Sequence, residues 1–170
     1  IETGVWRGGG CIFMQGILSA YNQTQMRKVW VADSFEGLPP CNQELYPKDL
    51  YDWTPMNHSL AISIDEVQEN FRRYDLLGEN VIFLKGWFKD TLPDVPIEKL
   101  AILRLDGDMY ESTMDSLNNL YNKLQPGGFL IIDDYLIDSC LAAIRDFRDE
   151  NDIKEEIIMI DDVSAYWRKS

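Results

Sequence analysis

Short β-branched apolar runs alternate along this chain with stretches that carry apolar residues at three- and four-residue spacing. That alternation leaves few solutions other than strands joined by crossover helices around a mostly parallel sheet, an α/β fold with helices on both faces. Strands are expected near Ile1 to Val5, Lys28 to Asp33, Asn80 to Lys85, Leu100 to Asp106, Phe129 to Asp133, Glu155 to Ile160 and Ser164 to Arg168. Helices are expected near Gly9 to Tyr21, Ile64 to Tyr74, Tyr110 to Lys123 and Ser139 to Glu150; Val67, Phe71 and Tyr74 illustrate one apolar helix face. Gly127-Gly128, after Pro126, reads as the stop of one helix and the start of the next strand. Asp161-Asp162-Val163 is too short to hold a crossover helix, so the last two strands should form an antiparallel hairpin.

The chain's 170 residues, 45% hydrophobic and 12% aromatic, suit one domain with a sizeable core, spanning 1–170. With 29 acidic against 16 basic side chains the net charge is -13, which repels phosphate backbones and argues against a nucleic-acid partner. Cys11, Cys41 and Cys140 are scattered and odd in number, without zinc or disulfide spacing, as expected of a cytoplasmic protein. No apolar run reaches bilayer length, so no membrane partner is expected. Ile1-Glu2-Thr3-Gly4 reads as the end of a buried strand, which implies a segment preceding Ile1. Residues 39–59, rich in Pro, Asn, Tyr, Trp and Asp, lack periodicity and are expected to form a lid or acceptor loop.

Glu2-Thr3-Gly4-Val5-Trp6-Arg7-Gly8-Gly9-Gly10 puts glycines where the first strand turns into its helix, the place where open α/β sheets bind ligands. The spacing is not GxGxxG, and an acid ahead of the first glycine suits the cationic amino group of S-adenosylmethionine better than a pyrophosphate. The bland alternative is a tightened turn. Asp33, with Ser34, ends the apolar run Val29-Trp30-Val31-Ala32, where a carboxylate can take both ribose hydroxyls; turn capping is the alternative. After the third strand, Trp87 is placed to flank an adenine or to pack in the core.

Leu103-Arg104-Leu105-Asp106-Gly107-Asp108 and Ile131-Ile132-Asp133-Asp134 each end a strand in acids, and consecutive strands of such a fold are usually neighbours. Asp106, Asp133 and Asp134 should therefore converge, and an all-oxygen set suits magnesium; helix capping is the alternative. Such a cation would lower the pKa of an acceptor hydroxyl. His58, the only histidine, and Asp106 are rival acceptors of its proton.

The strings Glu2 to Gly9, Val31-Ala32-Asp33-Ser34-Phe35-Glu36-Gly37-Leu38-Pro39, Leu105 to Thr113, and Gly127-Gly128 followed by Asp133-Asp134-Tyr135 resemble the macrocin O-methyltransferase family. The resemblance implies a class I methyltransferase Rossmann-like fold, a mostly parallel seven-stranded sheet with an antiparallel C-terminal hairpin. It implies S-adenosylmethionine and Mg2+ as cofactors, a glycosylated small molecule as hydroxyl acceptor, antibiotic biosynthesis as setting, and homo-oligomers. By motif, Glu2 and Gly4 would line the donor's methionine end, Asp33 its ribose, and Asp106, Asp133 and Asp134 the metal; His58 matches the family's loop histidine. The alternatives are a nicotinamide-dependent oxidoreductase, which has no use for three clustered aspartates, and a binding domain of the same fold without turnover.

Overall fold

The structure, a computed structural model, describes residues 1–170. Seven strands, β1 (Glu2–Thr3), β2 (Val29–Asp33), β3 (Val81–Lys85), β4 (Leu100–Leu105), β5 (Leu124–Ile132), β6 (Ile158–Met159) and β7 (Ala165–Arg168), form one sheet in the order β3-β2-β1-β4-β5-β7-β6. β1 to β5 pair in parallel, while β7 runs antiparallel to both β5 and β6. Helices α1 (Gly9–Ala20), α2 (Asn57–Leu60), α3 (Ile64–Arg73), α4 (Phe88–Thr91), α5 (Tyr110–Leu120) and α6 (Asp138–Glu150) fill the connections. No helix is long and apolar enough to cross a membrane.

Period-two alternation along β2 divides its side chains between two cores. Trp30 and Ala32 join the larger cluster with Leu103, Leu117, Ile144 and Trp167, so α5 and α6 cover that face. Val29 and Val31 join the smaller one with Cys11, Val67 and Phe71, so α1 and α3 cover the other. The helix α3 begins where Ser63 Oγ accepts from Glu66 N at 3.2 Å, and its Asp65 and Arg73 ends complement the helix dipole.

Two expectations need correction. The glycine pair does not separate helix from strand: α5 ends at Leu120, a single 3-10 turn follows over Tyr121–Lys123, and β5 starts at Leu124 and runs through Pro126-Gly127-Gly128. The glycines make a bulge instead. Leu100 pairs Leu124 but Ile102 pairs Phe129, and Gly127, at φ 81°, donates its N–H to Lys169 O at 2.7 Å. Secondly, β6 covers only Ile158–Met159, because Asp161 Oδ1 accepts from Val163 N (2.9 Å) and Ser164 N (2.7 Å), a side-chain turn that reverses the chain.

The stretch 39–59 contains a 3-10 turn at Thr54–Met56 and the start of α2, and its middle is tied to the domain. Asp49, 1% exposed, accepts from Tyr110 N (2.6 Å) and Glu111 N (3.1 Å), the free donors that open α5. Lys48 pairs with Asp146, which also accepts from the Tyr110 hydroxyl at 2.7 Å, and Leu50 N donates to Ser139 Oγ at 3.3 Å.

Candidate active site

The order of strands reverses direction at β1, flanked by β2 and β4, and the crevice outside such a switch point is where α/β sheets take ligands. A cavity of about 800 Å³ opens there, at the carboxyl ends of β1 to β4, lined by Gly4, Trp6, Asp33, Ser34, Trp87 and Asp106 among others. Its far wall is Gly37 to Tyr46, the first part of the tied loop. Left-handed backbone recurs around its rim: Trp6 (φ 45°) after β1, Phe35 (φ 58°) after β2 and Asp108 (φ 57°) after β4. Such non-glycine conformations each cost on the order of 1–3 kcal/mol and cluster at ligand sites.

Gly4, at φ 86°, lies so close to β4 that a Cβ there would overlap the Asp106 carbonyl. Asp33 ends β2 with both oxygens in use, Oδ2 accepting from Val5 N and Oδ1 from Phe35 N, each at 2.7 Å. Burial pushes its pKa up, and those N–H donors offset the push. Asp33 thus caps the turns and faces the cavity at once. Ser34 Oγ donates to Gly37 O at 2.7 Å, and Trp87 lies at the cavity wall where α4 begins.

Glu2 and Thr3 sit beneath the cavity floor and do not line it. The Glu2 carboxylate, 2% exposed, pairs with Arg104 and accepts from Cys11 Sγ at 2.9 Å; burial raises its pKa and Arg104 pulls it back. Thr3 Oγ1 accepts from Ser116 Oγ at 3.1 Å, in the core. Their side chains are therefore spent on fixing β1, and Gly4 is the part of that motif that reaches the cavity.

Asp106, Asp133 and Asp134 converge as expected: Leu105 pairs Ile132, which sets the two strand tips level, and one oxygen from each carboxylate lies within 4.8 Å of the others. Arg104 was not singled out from sequence, yet its guanidinium lies among them, donating to Asp106 Oδ2 at 2.6 Å and Asp133 Oδ1 at 2.5 Å. Burial works against the Arg104 charge, but Glu2 and Asp106 hold its pKa above the ordinary value. Burial lifts the Asp106 pKa, with Arg104 opposing. Asp134 accepts from Asp108 N at 3.0 Å, and burial, with repulsion from Asp106 and the other neighbouring carboxylates, pushes both of these carboxyls up. Asp108 escaped notice as a site residue because Asp in a turn is ordinary; its place beside Asp106 on a strand tip was the available signal.

His58 lies outside this convergence. It is exposed on α2, does not line the cavity, and its Nδ1 lies 2.8 Å from Pro55 O. The same segment is held by Trp6, whose Nε1 donates to Ser59 O at 2.9 Å.

The family described as Macrocin-O-methyltransferase (TylF) matches residues 1–169. The mycinamicin III 3''-O-methyltransferase of Micromonospora griseorubida is 51% identical over 174 residues, covering 100% of this chain and 68% of its own length. An 8-demethyl-8-(2,3-dimethoxy-alpha-L-rhamnosyl)-tetracenomycin-C 4'-O-methyltransferase of Streptomyces olivaceus is 50% identical, over 99% of this chain and 64% of its own. The solved structure of the O-methyltransferase NovP superposes with a TM-score of 0.96 at 51% identity, over 99% of this chain and 70% of that one. The chain thus spans about two thirds of the length of the curated relatives it matches.

Proposed function

The chain belongs to the macrocin O-methyltransferase family, and from that premise we propose that it carries the donor and metal sites of an enzyme moving a methyl group from S-adenosylmethionine to a hydroxyl of a glycosylated small molecule. One observation carries the reading: three carboxylates from two neighbouring strand tips converge beside a nucleoside-sized cavity at the switch point of the sheet.

The residues fit both groups. Oxygens bound to one magnesium ion at about 2.1 Å lie up to about 4.2 Å apart across the ion. The Asp106, Asp133 and Asp134 atoms, within 4.8 Å of one another, need only a small contraction to hold it, and an all-carboxylate set suits a hard cation. A divalent cation held there supplies Lewis-acid polarisation and lowers the pKa of an acceptor hydroxyl. On the donor side, Asp33 keeps lone pairs free for ribose hydroxyls, Trp87 offers an aromatic face to an adenine, and Gly4 lets the ligand approach the backbone.

The chain's own part is mostly orientation: the acceptor oxygen must meet the methyl carbon in line with its sulfur, in a site shielded from water. The tied loop supplies one wall of that site. For the proton, the position of Asp106 at the cavity supports it as acceptor over the exposed His58. His58→Ala should accordingly leave S-adenosylhomocysteine affinity unchanged, and any loss of turnover should be well below that of Asp106→Asn.

The decisive experiment strips the protein with EDTA, offers demethylated glycosides with S-adenosylmethionine, and restores magnesium. Activity should vanish and return, and Asp106→Asn should lower it by about 100-fold or more, the scale of losing a preorganised charge at a reacting oxygen. Full activity in the stripped protein sinks the metal reading. Failure of S-adenosylhomocysteine to bind in calorimetry sinks the donor reading.

A further inference from the structure

Clustered carboxylates need a countercharge, and the chain already provides one. Arg104 lies on β4 between the buried Leu103 and Leu105, so strand alternation turns it away from the core they enter and toward the acidic tips. Its Nη1 donates to Glu2 and Asp106, and its Nη2 to Asp133, so one planar fork spans three carboxylates on three neighbouring strands or strand tips. Glu2 is an anchor with nowhere else to go: its side chain is 3% exposed, and a Cβ on Gly10 would press into it. Of the three aspartates assigned to the metal, Arg104 engages two and leaves Asp134 to the Asp108 amide.

We propose that Arg104 is a positioning residue for the metal site, a resident cation that holds Asp106 and Asp133 in place when no ion is bound and keeps the ion's affinity low enough for ready exchange. The inference rests on the metal reading of the preceding subsection. A carboxylate has two oxygens and about four lone-pair positions. Asp106 and Asp133 can therefore serve guanidinium and ion together through different oxygens, while Asp134 accepts no ion pair and gives the ion its point of entry. The arginine's charge opposes the incoming dication at short range, where water screens it poorly. Glu2 moderates that opposition by drawing the guanidinium toward β1.

The test titrates Mn2+ into the full chain at fixed neutral pH and reads free Mn2+ by electron paramagnetic resonance, with circular dichroism confirming the fold of each variant. Arg104→Gln should tighten the Mn2+ dissociation constant by about tenfold or more, since removing a unit charge a few ångströms away is worth at least that. Arg104→Lys, which keeps the charge, should stay within about threefold of wild type on the same reasoning. Glu2→Gln should weaken binding by about threefold or more, because the guanidinium then leans on Asp106 and one negative charge is lost. Tightening is a result that mere structural damage does not produce. Folded Arg104→Gln protein that binds Mn2+ no better than wild type overturns the inference and leaves the metal reading standing. If that variant does not fold, Glu2→Gln decides, and unchanged or tighter binding overturns it. Wild-type protein that binds no Mn2+ overturns the metal reading and this inference together.

Discussion

At Gly4 the absence of a single carbon joins the glycine turn after β1 to the acidic tip of β4, since only a residue without a Cβ lets the end of β1 lie against the Asp106 carbonyl in a left-handed conformation. Gly4→Ala should therefore cost more than the ordinary 1–2 kcal/mol or so of a left-handed alanine, because β4 must also move. The expected outcome is a large fall in Tm together with lost S-adenosylhomocysteine binding by calorimetry; a variant that keeps both would mean that the two tips do not need their close approach. Asp115, on α5 at the cavity wall, makes a different kind of prediction. Burial and the neighbouring Glu111 carboxylate push its pKa up to about 6, above the ordinary 3.8. A group raised in this way supports the fold when protonated, below about pH 4, and that support is lost as pH climbs through about 6. Asp115→Asn should accordingly raise Tm at pH 8 and change it little at pH 4, as measured by thermal melts across that range.

Among the elements, α5 is the hinge of the site, for it follows directly from the Asp106 strand tip and takes its cap from elsewhere. Met109 offers no side-chain cap; the carboxylate of Asp49 does the capping from across the loop. Asp49→Ala would strand two N–H groups in a buried first turn and should cost about 1–2 kcal/mol, seen as a lower urea midpoint with unchanged slope. Hydrogen exchange should quicken in α5's first turn and in residues 39–53 together; quickening in only one of them would show that the loop and the helix are not tied as described. This cap was invisible in the sequence because its partners stand 61 and 62 residues apart, and no local spacing rule spans that. Arg104 escaped for a related reason: an arginine at an intermediate position of an alternating strand reads as a solvated charge until the neighbouring strands are known. The acidic tips, by contrast, were legible because each closes an apolar run, and the hairpin because three residues cannot hold a helix.

At the scale of the whole molecule the sheet separates two cores of unequal size, one of 20 buried residues under α5 and α6 and one of 8 under α1 and α3. Local opening free energy follows the apolar contacts an element makes, so amides of α3 should exchange before those of α5 and α6 in native-state hydrogen exchange. The reverse order would mean that the smaller face is stabilised by something other than its own packing. Fold class and the two-faced layering followed from period and alternation alone. The path of β5 did not, since a local rule reads paired glycines as a helix stop while the sheet uses them as slack. That slack has a reach well beyond the glycines themselves. Side chains along a strand change face at every step, so a chain lacking either glycine must choose between two registers: keep the grip of Lys169 and Arg168 on the bulge, or keep Asp133 level with Asp106. The spare length at one end of β5 works as a ruler for the other, and the height of the acids at the strand's tip is set by where the measuring begins.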